Sequence, residues 1–235
     1  MAPFPVTVIV LAAQRTGVVN PLAARAGVSH KCLVPICERP LIAHVMETLT
    51  TLPDVAEIRV VLEPEGQAEV DEVLEDFRSR GTPITLVDSN PNIVESVLAA
   101  TKGEDGPFVV TTADNVLLTH DGFEQVRDAM RDADAVIGVT TRERVWAVHR
   151  QGQRGFYEFK DAGYANCNIY GLANTKGLKA AEIFREGGQF QANPGRLLRA
   201  VGLLNILMMR FGLITFPRGL EKVGKRFGAR LVPVT

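Results

Sequence analysis

Arg15, Lys31 and Asp114 are the residues of this 235-residue chain whose types and positions together suggest chemistry. Arg15 lies in the loop after the run Val8-Ile9-Val10-Leu11, and Lys31 returns just before Leu33, Pro35 and a new helix opened by Arg39-Pro40. A strand buried on both faces that ends in such a loop is a usual seat of polyanions in α/β proteins, because loop amides and helix N-termini point into the crevice beyond the strand ends. Leu11, Ala12, Ala13, Gln14, Arg15 and Lys31 are therefore expected to meet the phosphates of a ligand. Asp114 follows a second buried run, Val109-Val110-Thr111-Thr112-Ala113, which puts its carboxylate at the same edge of a sheet. A phosphate-bridging Mg²⁺ needs only one or two carboxylates, since phosphate and water complete its octahedron. The competing role for Asp114 is to cap the turn that Asp114-Asn115 begins; with two cations nearby, metal binding is the stronger reading.

Such residues need a sheet to bring them together, and the hydropathy pattern supplies one. Strands are expected at 6–11, 58–62, 84–87, 108–112 and 135–139, and helices at 41–52, 67–79, 93–101 and 120–132. Strands alternating with helices at this spacing imply a mostly parallel sheet covered on both faces. After Thr140 the pattern changes: 153–160 and 168–172 read as shorter strands around Asp161-Ala162-Gly163, a small antiparallel addition. No linker or internal repeat marks a second domain, so 1–235 is expected to be one domain whose role changes near residue 140.

Composition narrows the classes. A chain 46% hydrophobic and 23% charged is neither disordered nor fibrous. Its start, Met-Ala-Pro-Phe-Pro-Val, lacks a charged n-region, so no secretory leader is expected. Cys32, Cys37 and Cys167 form an odd set without metal-type spacing, which suits free thiols, no structural zinc and a cytoplasmic setting. From Pro194 onward eight basic residues face Glu221 alone, a net +7 that leaves −8 on residues 1–193 of a chain of net charge −1. This tail also holds the apolar stretch from Leu203 to Ile214, broken by Arg210 and too short to span a bilayer. It reads either as a buried helix with solvated arginines or as a basic, apolar surface for peripheral contact with anionic lipid. Nucleic-acid binding is not expected, because the tail lacks interleaved aromatics for stacking.

Leu11-Ala12-Ala13-Gln14-Arg15, then Lys31-x-Leu33-x-Pro35 with Arg39-Pro40-Leu41-Ile42, then Ala113-Asp114, resemble the NTP-transferase superfamily of molybdenum-cofactor guanylyltransferases and sugar-phosphate nucleotidylyltransferases. The resemblance covers much of 6–140 and, loosely, 165–172. It implies a three-layer α/β/α sandwich of the glycosyltransferase-A, Rossmann-like type. The implied reaction is Mg²⁺-dependent: a nucleoside monophosphate moves from an NTP, with CTP or GTP favoured, to a phosphorylated small-molecule acceptor, and pyrophosphate leaves. Arg15 and Lys31 would clamp the triphosphate as catalytic cations and Asp114 would hold the metal; His30, beside Lys31, would either donate to phosphate or, as a lone loop histidine more often is, be incidental. Asn90, Asn92 and Ser96, at the third strand-to-helix turn, would contact the nucleotide, although helix capping suits their types equally. Asn168, within Tyr164-Ala165-Asn166-Cys167-Asn168-Ile169-Tyr170, would contact the acceptor; Trp146 and His149 would either line a pocket or pack. Residues 1–140 would then be the NTP half and 141–235 the acceptor half. The chain departs from the family at Ala13-Gln14 and at Glu38, where glycines are usual. Two alternatives stay open. One is a glycosyltransferase using a nucleotide sugar, which usually needs an Asp-x-Asp where this chain has Asp114-Asn115-Val116; the other is a non-catalytic nucleotide-binding module.

Overall fold

The computed structural model describes residues 4–14, 20–153, 155–181 and 213–235; Arg15 and most of the apolar stretch after Leu203 lie outside them. In chain order the described elements are β1 (Val6–Leu11), α1 (Pro21–Ala26), a 3₁₀ turn (Lys31–Leu33), β2 (Pro35–Ile36), β3 (Arg39–Pro40), α2 (Leu41–Leu49), β4 (Val55–Leu62) and α3 (Pro64–Arg78). There follow β5 (Ile84–Asp88), α4 (Ile93–Ala100), β6 (Phe108–Thr112), α5 (His120–Ala129), β7 (Ala135–Thr141), α6 (Arg142–Val148), β8 (Tyr157–Glu158), β9 (Gly163–Leu172), α7 (Thr175–Ala180), α8 (Phe216–Phe227) and β10 (Leu231–Val234). The main sheet runs β10-β7-β9-β6-β1-β4-β5, with β8 paired to β9.

Along β1 the side chains alternate between two apolar layers. Val8 and Val10 join Ile42, Met46, Leu74 and Phe123 from α2, α3 and α5, whereas Ile9 joins Val97, Leu178 and Leu220 from α4, α7 and α8. Both faces are thus covered, which is why Val8-Ile9-Val10-Leu11 is a continuous apolar run instead of alternating with polar residues. The result is a three-layer sandwich around a mostly parallel sheet. Phe108 and Phe123 are fully buried in opposite layers, and truncating either to Ala would cost about 3–5 kcal/mol.

The expected antiparallel part after Thr140 is present, but it lies inside the sheet. β9 runs ten residues between β6 and β7, antiparallel to both, while the strand expected at 153–160 shrinks to Tyr157–Glu158. Sequence pattern misses this placement because the pairing is set by partners up to 64 residues away, as in Phe108 opposite Leu172. β10, parallel to β7, and the short helices α6 and α7 also go beyond the expected elements. The β2–β3 hairpin turns through Cys37 and Glu38 at φ 49° and 63°. A two-residue turn with both φ positive favours glycine, so Glu38 occupies a strained position.

Candidate active site

β1, β4, β5, β6, β7 and β10 point the same way, so their carboxyl ends share one edge. β1 is anchored there from both sides. The N–H of Ala113 donates to the Leu11 carbonyl at 2.9 Å, and the N–H groups of Ala12 and Ala13 donate to the Val61 carbonyl at 2.9 and 3.1 Å. Lys31 stands on the 3₁₀ turn, whose Cys32 and Leu33 are buried anchors. Its ammonium pairs with Oδ2 of Asp114, while Oδ1 accepts from the Thr112 hydroxyl at 2.6 Å. The pair is half-buried, with side-chain exposures of 37% for Lys31 and 29% for Asp114. Burial works to raise the Asp114 pKa, but the hydrogen bonds from Lys31 and Thr112 outweigh it and hold the carboxyl below its ordinary 3.8.

Asn115 ties this loop to β9. Its Nδ2 donates to the Cys167 carbonyl at 3.0 Å and to Thr111 Oγ1 at 3.1 Å, and the Thr111 hydroxyl donates to the Asn168 carbonyl at 2.9 Å. Asn168 sits at φ 52°, where β9 bulges against β7, a conformation asparagine tolerates better than most residues. Its N–H donates to Asn166 Oδ1 at 3.0 Å, and Asn166 Nδ2 reaches both Asn168 Oδ1 and the Tyr170 hydroxyl. Asn168 is thereby brought beside the Asp114 loop with its side chain exposed. The role of Asn115 escaped the sequence reading; an amide directly after the acid was the available signal.

Other predicted residues are engaged differently. The N–H groups of Ala12, Ala13 and Gln14 all bond within the protein, the last to Glu63 Oε1 at 2.8 Å. Amides 12–14 are thus engaged by the end of β4, which the loop hugs as it leaves β1. Arg15 lies outside the described residues. Ser96 is buried, and its hydroxyl accepts from the Asn90 N–H at 2.8 Å and donates to the Asn90 carbonyl at 3.2 Å, closing the turn after β5. Capping of α4 falls to Asn92, which accepts from the Glu95 N–H. Asn90 itself is exposed at that turn. His30 is 5% exposed and bonds to Ser29 Oγ, so its ring does not face a phosphate at the surface. Trp146 stacks edge-on to Phe156 with Arg142 over both rings.

No cluster of three metal-ligating side chains occurs among the described residues. The donor set at Asp114 is one carboxylate with capacity on both oxygens beside a threonine hydroxyl. It fits a hard cation held chiefly by phosphate and water, and does not form an all-protein cage.

Residues 8–175 match the family described as the MobA-like NTP transferase domain. Among curated proteins, none matches the sequence. A solved structure described as a hypothetical transferase from Thermus thermophilus superposes with a TM-score of 0.78 at 22% identity, covering 98% of this chain and 92% of that one. The 4-diphosphocytidyl-2C-methyl-D-erythritol synthase of Anaerococcus prevotii superposes with a TM-score of 0.57 at 12% identity, covering 98% and 88%. At these identities the two structures share the fold.

Proposed function

The chain belongs to the MobA-like NTP transferase family, and from that premise we propose that it moves a nucleoside monophosphate from an NTP to a phosphorylated small-molecule acceptor, with Mg²⁺ bound and pyrophosphate released. The pairing of Lys31 with Asp114 carries this reading. A metal–nucleotide complex needs both partners: an ammonium for phosphate oxygens and a carboxylate for a hard cation.

In the reaction an acceptor phosphate oxygen attacks the α-phosphorus in line. The new P–O bond forms as the bond to the β-phosphate oxygen breaks, and its electron pair leaves on pyrophosphate. The attacking phosphate is already an anion, so no general base is required. Negative charge gathers on the α-phosphate oxygens and the leaving group, where Lys31 and Arg15 supply preorganised positive charge. Asp114 would hold Mg²⁺, which when bound neutralises charge across the phosphates. Leu11, Ala12, Ala13 and Gln14 shape the loop that delivers Arg15, Asn90 faces the base, Ser96 fixes the Asn90 turn, and Asn168 contacts the acceptor. CTP or GTP is the proposed donor, and the likeness to a synthase of a diphosphocytidyl compound supports CTP. We read 1–235 as one domain, with an NTP half at 1–140 and an acceptor half at 141–235. A cytoplasmic setting belongs to the same proposal and rests on three free cysteines.

The test is pyrophosphate release measured with four NTPs against a panel of sugar, alditol and pterin phosphates, with Mg²⁺ and with EDTA. Release with at least one pair, abolished by EDTA, supports the reading. NTP binding without release in any pair overturns it in favour of a non-catalytic module. Transfer from a nucleotide sugar overturns it in favour of a glycosyltransferase.

A further inference from the structure

Gln14 is fastened to the body of the protein twice. Its backbone N–H donates to Glu63 Oε1 at 2.8 Å, and its side-chain amide donates to the Ser29 carbonyl at 3.0 Å. Glu63 follows β4 and stands at the N-cap of α3, yet its side chain makes no capping hydrogen bond to that helix; the carboxylate is turned to the loop instead. His30 lies beside it, with Nε2 3.8 Å from Glu63 Oε2 and Nδ1 2.9 Å from Ser29 Oγ. The Ser29 hydroxyl in turn donates to Glu69 Oε2 at 2.8 Å. The His30 ring packs so closely on Gly66 that a Cβ there would approach it to 2.5 Å. Lys31 is the next residue after His30, and Arg15 the next after Gln14. One connected set of side chains thus ties Gln14, at the end of the described part of the β1 loop, to the segment that carries Lys31.

Two buried oxygens of this set, Gln14 Oε1 and Glu63 Oε2, have no hydrogen-bond partner among the described residues. Orphaned buried oxygens destabilise a fold, and such strain persists where the arrangement serves a ligand. We propose that Glu63 is a positioning residue for nucleotide binding. Acting through the Gln14 N–H, it holds the end of the β1 loop against the Ser29–His30 segment that leads into Lys31. This inference rests on the nucleotidyl-transfer reading.

The test combines hydrogen exchange of peptide 11–19 in nucleotide-free protein with NTP binding and steady-state kinetics for Glu63→Ala, Glu63→Gln and Gln14→Ala. Glu63→Ala is expected to speed exchange and raise the KM for NTP about tenfold, the loss of one hydrogen bond to a charged acceptor, with kcat little changed. Glu63→Gln keeps an oxygen acceptor and is expected to restore both. Gln14→Ala keeps the backbone N–H but loses the tether to Ser29, and is expected to show a smaller rise in KM. Unchanged exchange in Glu63→Ala overturns the hold itself. Faster exchange with unchanged KM, or equal impairment of Glu63→Ala and Glu63→Gln, overturns the positioning role. A wild type that binds no NTP overturns the transfer reading and this role with it, whereas a wild type that binds NTP and a Glu63→Ala that binds it equally well removes this role alone. If Glu63→Ala does not fold, an unchanged KM in Gln14→Ala overturns the proposal.

Discussion

Lys31, on the 3₁₀ turn after α1, holds the carboxylate of Asp114, just past β6, in an ion pair that spans 83 residues of sequence. Without ligand the site is therefore self-neutralised. A metal–nucleotide complex has to part the pair, directing the ammonium to phosphate and the carboxylate to the cation.

Removing Lys31 is thus expected to separate two effects. Lys31→Met should raise the affinity for Mn²⁺ in the absence of nucleotide about two- to fivefold, the worth of a partly exposed ion pair, while lowering turnover by orders of magnitude. Asp114→Asn should lose both Mn²⁺ binding and turnover. Electron paramagnetic resonance of free Mn²⁺ reads the first, and pyrophosphate release the second.

The lowered pKa of Asp114 has a definite sign in the pH dependence of stability. A carboxyl more acidic in the folded than in the unfolded chain adds stability above its unfolded value of 3.8, and that stability is lost as pH falls through the lower folded value. Urea midpoints should fall less steeply below about pH 4 in Asp114→Asn than in wild type. An identical acid limb would remove Asp114 from the linkage.

Ser96→Ala leaves the N–H and carbonyl of Asn90 without their hydroxyl partner. The expected cost is about 1–3 kcal/mol, or a fall in Tm of about 3–10 °C for a chain of this size. Calorimetry checks this, and a Tm within about 1 °C of wild type would show that the turn holds without the hydroxyl.

α8 divides its residues by helical spacing. Leu220, Val223 and Gly224 are buried, and Arg218, Lys222, Lys225 and Arg226 are exposed. A peripheral contact with anionic lipid would be electrostatic, worth about 1 kcal/mol per cation and weakened by salt. Co-flotation with anionic vesicles at low salt is expected for wild type and not for a variant with these four residues changed to Glu. Failure of wild type to float ends the idea.

Much of the frame was legible because it depends on local pattern. The β-branched runs ending at Leu11 and Thr112 marked β1 and β6, and their shared direction put Asp114 near Lys31. The β2–β3 hairpin was not legible, since Cys37 and Glu38 take positive φ without glycine. Glu63 was invisible for a different reason: a Glu before Pro64 looks like an ordinary helix start, and its tie to Gln14 crosses 49 residues. The bonds of the loop amides to Val61 and Glu63, on the neighbouring strand and its end, were hidden for the same reason.

The central place of β9 also sets an order of assembly during synthesis. Among the described residues β5, β4, β1 and β6 pair with one another and with β9, so all four strands of the parallel quartet are made once Thr112 has been added. Among the described residues β7 pairs with β9 and β10, both of which are made later. Gly163–Leu172, made after both, lies between β7 and β6 and joins them. The bonds from Asn115 to Cys167 and from Thr111 to Asn168 close at that moment, so the Asp114 loop gains its final support only after the ribosome has passed the middle of the chain.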